Sequence, residues 1–545
     1  MQSRTFVLPL EVVPMMMSRR AILKVVASLT VVTLLPGSFG QIASAQPLRV
    51  RHDARTQEGK RNLETYARAV RIMKESGAGT PSSWVFQWYT HAVSGSSSKL
   101  AELNRIYGSQ PSPDRDLANL VWSTCQAHGS NTWEPNFLPW HRALILFFEG
   151  TIRRVTSEDG FTLPYWNYTE DGAIPVEFRQ PNDPVFSALY QANRNPGINE
   201  GTPLNRIRGG LPGNLLSLDV MDERQYYSGP QGVPQGFNER IDNELHGFIH
   251  VNTGGTQNMG SVPFAAQDPI FWIHHCNIDR IWAGWNANGG RNPTGAQWAS
   301  RQVHVFADAS GRRTEVTNGQ VTAIEPLGYA YDVLPRQQAA VASIGRASTA
   351  TGGAAAVNDI LGGGGGGGTQ VAQAGGSQPP AAAPSPGEGE TPEQPAAPSQ
   401  TMATTGQPLV LGTAPTAITL SPMLRGASIQ SFSETLRSSD KRQYLVLSGI
   451  RTDVQPGTVY NVFAGQPGSQ PSTGDSPNYV GSLQFFDAQP FGSDAGAKPV
   501  RFVFDITRQI QSGVISDPLS YYVVPAANPE AGAQPVIGNI ELVNQ

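Results

Sequence analysis

The stretch DPIFWIHHCNIDRIWAGW, residues 268–285, is the part of the sequence that decides how this chain folds. Its apolar residues recur at helical spacing. They follow an adjacent pair of histidines by one to three turns and are Ile278, Ile281, Trp282 and Trp285. A stripe of this kind, with a period near 3.6 residues, predicts an amphipathic helix that buries its apolar face. The histidines are therefore expected to point into the protein.

A second helix of the same character lies upstream. In PWHRALILFFEGTIRR, residues 139–154, one face carries His141, Ile145, Phe148 and Ile152. The proline at the start of the stretch suits the first turn of a helix, where its missing N–H is not needed. The pattern predicts another buried helix with an inward histidine.

A third stretch, ELHGFIH at residues 244–250, places His246 and His250 four residues apart. On a helix this spacing puts two imidazoles one turn apart on the same face, which suits a metal site. The zinc-protease pattern H-E-x-x-H has the same spacing, but Gly247 stands where that pattern needs its glutamate base. The hydrolytic interpretation is therefore disfavoured, and two ordinary helix histidines remain the alternative at this point.

The accumulation of histidines favours a metal centre. The chain has nine histidines, and they include two sets of three: His91, His128 and His141, then His246, His250 and one of the adjacent His274 and His275. Six neutral imidazoles without a nearby carboxylate cluster suit a pair of copper ions better than magnesium or calcium. Inward-facing helices of a bundle are a natural scaffold for such a centre.

Composition divides the chain into regions. Residues 46–342 hold all nine histidines and all ten tryptophans and form the expected catalytic domain. Residues 343–404 are dominated by Ala, Gly, Pro, Ser and Gln, which predicts a flexible linker. Residues 405–545 contain short alternating runs such as RQYLVLSGI and VRFVFDI. The expected fold class is a mainly α catalytic domain, a four-helix bundle around a dicopper site, followed by a C-terminal antiparallel β-sandwich.

The first 45 residues predict an export signal. They contain a paired arginine at 19–20, an apolar stretch at about 25–35 and a small-residue cleavage pattern at 43–45. Because the apolar stretch is too short to span a bilayer, we expect a cleaved twin-arginine signal, a periplasmic or secreted protein and no membrane attachment after cleavage. A membrane anchor is the alternative. The formal charge of −4 gives no basic surface for nucleic acid.

Four stretches together resemble the copper-binding motifs of tyrosinases and catechol oxidases, the type 3 copper oxidases: FLPWHRALILFFE, LPYWNYTEDG, HGFIH and DPIFWIHHCNIDRIWAGW. The resemblance covers about residues 49–335. It implies two copper ions as cofactors, copper A held by His91, His128 and His141, and copper B held by His246, His250 and His275.

The same resemblance assigns the neighbours of the copper B histidines. It leaves His274 beside the site instead of on the metal. It also implies that Asp279, one turn after His275, accepts the other N–H of that ring and so fixes its tautomer. A salt bridge of Asp279 with Arg280 or Arg153 is the alternative.

Both cysteines lie inside histidine-rich segments. Cys125 precedes His128 by three residues. Some members of the family tie a copper A histidine to a cysteine through a thioether, but with a different spacing, so such a bond and a small buried cysteine are the two alternatives. Cys276, next to His275, is expected in the core.

The resemblance extends to both ends of the catalytic domain and beyond it. LRVRHDAR and GYAYDV are similar to the end motifs of plant polyphenol oxidases, which implies that Arg49 or Arg51 packs on the rings of Tyr329 and Tyr331. YVGSLQFF, VRFVFDI and SDPLSYYVVP are similar to strands of the C-terminal domain of those enzymes. There this domain lies over the active site until it is cleaved, so a lid is expected here, with a passive stabilising domain as the alternative.

The activity that the resemblance implies is oxidation of o-diphenols or o-aminophenols to o-quinones with O₂. In this family the residues after the first two copper B histidines influence phenol hydroxylation, and here they are Gly247 and Val251. Gly247 has no side chain to orient a water that could take the phenol proton, so we expect weak or no monophenol hydroxylation. Glu239, Asp242 and Glu244 are candidate bases, although acids on such a helix usually face water.

Access to copper A is expected to depend on Val262, which lies thirteen residues before His275. Plant enzymes carry a bulky aromatic residue there, so a valine predicts an open entrance for substituted phenols. Phe264 is close enough in sequence to be the matching position instead.

Three other functions remain open: a full tyrosinase with monophenolase activity, a haemocyanin-like O₂-binding protein, and an extracellular binding protein whose histidines hold zinc or no metal. The expected partners are O₂ and small phenolic substrates. A copper chaperone and an activating protease are candidate protein partners.

Overall fold

The computed structural model of the protein describes residues 48–125, 135–209, 215–229, 232–336, 399–423, 428–466, 476–488 and 500–545. The expected export signal at 1–45 and most of the expected linker, up to residue 398, lie outside the described residues. No helix in the described ranges is long and apolar enough to cross a membrane.

Helices form most of the region before residue 300. They are α1 (Gln57–Glu75), α2 (Trp84–His91), α3 (Lys99–Tyr107), α4 (Pro113–Val121), α5 (Phe137–Thr156), α6 (Phe237–Ile241), α7 (Gly247–Thr253), α8 (Val262–Ala265), α9 (Ile270–Ala287) and α10 (Ala296–Ala299). Short 3-10 turns connect them at Val176–Arg179, Ser187–Leu189, Leu204–Gly209 and Asp219–Asp222, and two more follow at Asn318–Val321 and Glu325–Leu327. The two helices predicted from the histidine-rich stretches are α5 and α9.

Local sequence explains where several of these helices begin. The side chains of Thr56, Ser83, Ser98 and Ser112 each accept a hydrogen bond from a backbone N–H in the first turn of α1, α2, α3 and α4. Such caps satisfy N–H groups that have no partner within the helix. Helix α9 packs against α5, and α5 packs against α1, so the apolar stripes meet in one core.

The segment that carries His246 and His250 is one helical run with an irregular centre. Helix α6 leads into a π-helical turn at Asp242–His246, which leads directly into α7. A π turn contains one residue more than an α turn and is frequent at functional sites. Here it determines the direction in which His246 leaves the helix.

Two small sheets complete the helical region. Strand β1 (Arg49–Arg51) pairs in parallel with β4 (Tyr329–Tyr331), which joins the two ends of the region. Strands β2 (Val303–Ala307) and β3 (Arg313–Thr317) form an antiparallel pair.

The C-terminal region is the expected antiparallel β-sandwich. One sheet has the strand order β11 (Tyr479–Leu483), β10 (Tyr460–Ala464), β13 (Ser520–Pro525), β7 (Thr416–Thr419). The other has the order β12 (Val500–Asp505), β9 (Gln443–Ile450), β15 (Asn539–Asn544), β5 (Gln400–Thr404), β8 (Ser421–Pro422). The short strands β6 (Leu409–Val410) and β14 (Val536–Ile537) pair with each other, and two helices, α11 (Ile429–Arg437) and α12 (Thr507–Gln511), cover the ends.

The boundary predicted for this domain needs a correction. Residues 400–404, which composition assigns to the linker, form β5 and pair with β15. Their side chains alternate only weakly in polarity, so the strand owes its place to backbone hydrogen bonds that the sequence pattern does not reveal.

The sandwich packs directly on the helical region. Val459 and Phe486 are residues of the C-terminal region, but their side chains pack in the core of the helical region and not in the core of the sandwich. The Arg501 carbonyl accepts hydrogen bonds from the side-chain amides of Gln235 and Asn243, both at 3.0 Å. These contacts place the loop after β11 and the start of β12 against the helical run that carries His246 and His250.

Candidate metal centre

Four stretches of helix bring five histidines together, if α6, the π turn and α7 are counted as one stretch. His91 ends α2, His141 lies near the start of α5, His246 ends the π turn, His250 lies in α7 and His275 lies in α9. Each is at most 2% exposed. We call these five residues the histidine cage.

The rings of the cage converge. His141 and His275 stack face to face with centroids 4.2 Å apart and an interplanar angle of 6°. The His246 ring lies 4.5 Å from the His250 ring and 5.2 Å from the His275 ring. His91 lies 5.8 Å from His141. The two sets predicted from sequence therefore face each other across one small space.

Backbone carbonyls fix the orientation of three of these rings. Nδ1 of His141 donates to the Phe137 carbonyl at 2.9 Å, and Nδ1 of His250 donates to the Met259 carbonyl at 2.8 Å. Nδ1 of His246 donates to the Asp242 carbonyl at 3.2 Å. Because a carbonyl only accepts, the proton sits on Nδ1, and Nε2 is left as the metal-binding nitrogen.

The donor chemistry of the cage fits metal ions. Nε2 of His250 and both ring nitrogens of His275 are buried without a hydrogen-bond partner among the described residues. Burial first, and then the neighbouring histidines, lower the pKa of His250 and His275 well below the ordinary value. The rings are therefore neutral, which is the form that binds a metal, and a bound ion would satisfy nitrogens that are otherwise costly to bury.

Two of the groups of possible ligand residues match the predicted copper sites, and within each group the ligand atoms lie within 4.8 Å of one another. One contains His246, His250, His274 and His275, and the other contains His91, Cys125 and His141. The copper A prediction for His128 lies outside the described residues. The structure thus brings together five of the six predicted ligands.

His274 belongs to the same group of possible ligands as His246, His250 and His275. It therefore lies closer to the expected copper B position than the resemblance implies. Its ring is stacked on His246 at 5.5 Å, and both its nitrogens are buried without a partner in the described part of the chain. The predicted role of His275 as the ligand of this pair stays a prediction.

Neither Cys125 nor Cys276 forms a disulfide. Sγ of Cys125 lies 3.8 Å from Nε2 of His141. The thioether stays a prediction, because His128 lies outside the described residues. Cys276 is buried in the core and donates to the Leu163 carbonyl at 3.3 Å, as expected of a packing residue.

The role predicted for Asp279 is wrong. Its carboxylate accepts from Arg51 at 2.9 Å, from Arg142, and from the hydroxyls of Tyr329 and Tyr331 at 2.8 and 2.6 Å. His275 donates nothing to it. Burial alone would raise the pKa of Asp279, but Arg142 and Arg51 outweigh burial and hold this pKa below the ordinary value.

The alternative salt bridge to Arg280 or Arg153 is also wrong, because the arginines that reach Asp279 come from β1 and α5. The predicted packing of an arginine on the tyrosine rings is confirmed for Arg51, whose guanidinium lies 3.7 Å from the Tyr329 ring centroid. The network joins β1, β4, α5 and α9 behind the cage.

The three candidate bases have different surroundings. Oε2 of Glu239 accepts from the backbone N–H of Gly236 at 2.7 Å and caps α6. Glu244 forms an ion pair with Arg240 at 2.9 Å. Asp242 lies with its carboxylate 3.1 Å from Nδ1 of His246. Only Asp242 therefore lies beside the cage, and it faces the side of His246 away from Nε2.

Among the remaining predicted residues Gly247, Val251 and Val262 are buried, whereas Phe264 is half-buried. Val251 and Val262 are each 2% exposed, and the Phe264 ring lies beside Gly95. Gly247 lies between His246 and Phe248, beneath a side chain of the sandwich. An open entrance at Val262 stays a prediction.

Sequence reasoning missed three residues of the loop after β11. The Phe486 ring stacks on His250 with centroids 4.0 Å apart, and Gln484 lies over Gly247. The carboxylate of Asp487 lies within 4.8 Å of ligand atoms of Asp242 and His246. The alternating run YVGSLQFF hid these residues, because it reads as one strand, whereas the strand ends at Leu483.

Fold and site define a protein whose helices hold a dicopper centre built from histidines. A family profile described as the common central domain of tyrosinase matches residues 81–209 and 189–288. Residues 81–288 of this chain therefore contain the common central domain of tyrosinase, and two copper ions are the cofactors that its histidine cage fits.

Two curated relatives illustrate the likeness. Tyrosinase HcTyr1 of Hahella sp. (strain CCB-MM4) is 32% identical over 295 residues, which are 49% of this chain and 60% of that protein. Polyphenol oxidase A1 of Vicia faba is 29% identical over 317 residues, which are 54% of this chain and 48% of that protein. The chain thus spans less than two thirds of the length of these relatives.

Solved structures show the same fold. The structure of latent apple tyrosinase covers 91% of this chain and 98% of its own, with a TM-score of 0.53 and 17% identity. Recombinant latent aurone synthase covers 92% of this chain and 90% of its own, with a TM-score of 0.53 and 19% identity. The likeness extends over both the helical region and the sandwich.

Proposed function

We propose that the protein is an exported polyphenol oxidase that converts o-diphenols to o-quinones, or o-aminophenols to o-quinone imines, with O₂. It has weak or no monophenol hydroxylation and is latent in the arrangement described. The observation that carries the proposal is the buried histidine cage, with its two sets of rings facing each other at 4.2 Å. The relatives named tyrosinase and polyphenol oxidase support the reaction class.

The copper pair, when bound, carries electrons from the substrate to O₂. In the balanced reaction two o-diphenols each lose two electrons and two protons, and O₂ becomes two waters. The chain's own residues hold the metals through Nε2 atoms whose direction the carbonyls of Phe137, Asp242 and Met259 set. Ligands held in this way need little rearrangement during turnover.

Aromatic rings line the cage. The Phe271 ring lies 4.8 Å from the His91 ring and 4.3 Å from the His275 ring. The Phe137 ring lies 4.8 Å from His141 and 4.6 Å from His246. These rings place apolar surface against histidines of both predicted sets.

The preference for diphenols rests on what surrounds His246. A monophenol must lose its proton at the site, which calls for a base or an oriented water. Gly247 offers no side chain, Glu239 caps a helix and Glu244 is paired with Arg240. Asp242 lies beside the cage, but its carboxylate faces Nδ1 of His246 and not the metal-binding nitrogen. An o-diphenol is oxidised without a new oxygen atom, so it places a smaller demand on such a group.

Latency rests on Phe486, whose ring occupies the face of His250 that a phenol would approach. The latent apple and aurone synthase structures, which share the fold over both domains, support this assignment. Removal of residues 399–545 by a protease would expose the cage. Export by the twin-arginine route and loading by a copper chaperone complete the proposal.

The test measures O₂ uptake by copper-loaded protein on DOPA, o-aminophenol and tyrosine, before and after a protease cuts between residues 336 and 399. The proposal expects uptake with DOPA and o-aminophenol that rises after cleavage, and little with tyrosine. Equal rates with tyrosine and DOPA would show a full tyrosinase instead. Reversible O₂ binding without substrate oxidation after cleavage would show a carrier.

A further inference from the structure

Gly247 occupies a position that is unfavourable for glycine. Its φ of −62° and ψ of −36° are ordinary helical values, which any residue adopts. A glycine inside a helix costs about 1 kcal/mol relative to alanine, because it loses more backbone freedom on folding. The backbone conformation therefore does not require glycine here. The reason for a glycine must lie in the space around this residue.

Space at this position is taken by the β-sandwich. A Cβ atom on Gly247 would lie 2.1 Å from Nε2, 2.4 Å from Cδ and 3.0 Å from Cγ of Gln484. All three atoms belong to a side chain of the C-terminal domain. An alanine at 247 would thus overlap with Gln484, although both its own backbone and its helix would accept it.

Gln484 cannot easily move away. Its side chain is fully buried. Its Nε2 donates to the Asn243 carbonyl at 3.2 Å, in the π turn, and its Oε1 accepts from the backbone N–H of Phe486. A shift would break both bonds in a buried place, where unpaired polar groups are costly.

We infer that Gly247 is the docking position of the β-sandwich, because the bare helix surface there receives the Gln484 amide, which holds Phe486 over His250. The same amide contacts the helix on one side and the Phe486 backbone on the other. Gln484 is therefore a positioning residue for the ring that covers the cage. This inference rests on the proposed latency and names the contact that sets it.

The test follows hydrogen–deuterium exchange of the segment 479–488 in the full-length chain. Gly247→Ala is expected to speed exchange of these amides by about tenfold, because overlap with Gln484 favours the undocked arrangement. In a Gln484→Gly background the overlap is gone, so the same substitution is expected to change exchange by less than about twofold.

A matched control comes from α5. Gly150 is also a helical glycine, but a Cβ there would meet nothing closer than 3.5 Å, at Ala309. Gly150→Ala is expected to leave exchange of 479–488 unchanged. The inference is overturned if Gly247→Ala has no effect, has the same effect in both backgrounds, or unfolds the protein in both.

Exchange needs no phenol, so the two proposals can fail separately. A chain that oxidises no diphenol in any form but shows the expected exchange pattern refutes the proposed function and keeps this inference. If the chain is an active diphenol oxidase but the Gly247→Ala variant docks its sandwich normally, the proposed function is kept and this inference is refuted.

Discussion

The two nitrogens of each oriented cage histidine have different tasks. At His141, His246 and His250 one nitrogen donates to a carbonyl, and the other is directed into the cage. Burial keeps His250 and His275 neutral by lowering their pKa values. A buried imidazole that keeps a free nitrogen costs folding energy unless a ligand satisfies it. Metal binding is therefore linked to the stability of the cage at the level of single atoms.

Substitution of His275 should remove one metal. His275→Gln is expected to lower copper from two ions per chain to about one, because an amide is a weak copper ligand. Elemental analysis after reconstitution measures this. His304→Gln is the matched control, since His304 is also buried but bonds to Asn318 at 2.7 Å and lies outside the cage. Two ions in both variants would contradict the assignment.

Asp279 should matter for stability. Asp279→Asn leaves Arg51 and Arg142 without their shared anion, so the free energy of unfolding should fall by about 3–5 kcal/mol. Urea denaturation measures this. Glu158→Gln, which breaks an exposed pair with Arg68, should cost less than about 1 kcal/mol. A similar small loss in both variants would contradict the account.

The pH dependence of this effect has a definite sign. Because the pKa of Asp279 is lowered in the folded state, its contribution is present above its unfolded pKa of about 4 and is lost as the pH falls through the folded value. The difference between wild type and Asp279→Asn should therefore shrink below about pH 4. A difference that grows towards acid pH would contradict this.

The helices and strands that could be predicted are those whose pattern lies within one short stretch of sequence. The buried faces of α5 and α9 follow from a period of 3.6 residues within one stretch of sequence. The π turn at Asp242–His246 leaves no such pattern and was missed. The partners of Asp279 were missed as well, because Arg51 lies 228 residues away and arrives through the β1–β4 pair.

The loop after β11 should control access. Phe486→Ala in the full-length chain is expected to raise diphenol oxidation severalfold, because it removes the ring stacked on His250. O₂ uptake without added protease measures this. Phe504→Ala is the control, since that ring packs inside the sandwich against Gly481 and Phe502. Equal activation by both would point to general loosening of the domain.

For the whole molecule, sequence predicted both fold classes but not how they dock. Alternation is a property of each strand, so the sandwich could be expected from its strands alone. Docking depends on the shape of Gly247 in one domain and Gln484 in the other, which lie far apart in sequence. The linker boundary was misplaced for a similar reason, since β5 depends on pairing with β15.

Metal removal should destabilise the whole molecule. Copper that binds only the folded chain stabilises it by about 3 kcal/mol when the free ion is at 100 times its Kd. The copper-loaded protein is therefore expected to unfold at a higher temperature than protein treated with a chelator, as differential scanning calorimetry would show. Identical unfolding temperatures would mean that the cage does not hold the metal.

The central claim is that two copper ions share one histidine cage. X-ray diffraction from copper-loaded crystals at the copper absorption edge locates both ions directly. The account predicts two ions about 3.5–4 Å apart inside the histidine cage, each bound by histidine nitrogens. A single ion, or two ions held apart by a packed interior with carboxylate ligands, would contradict it.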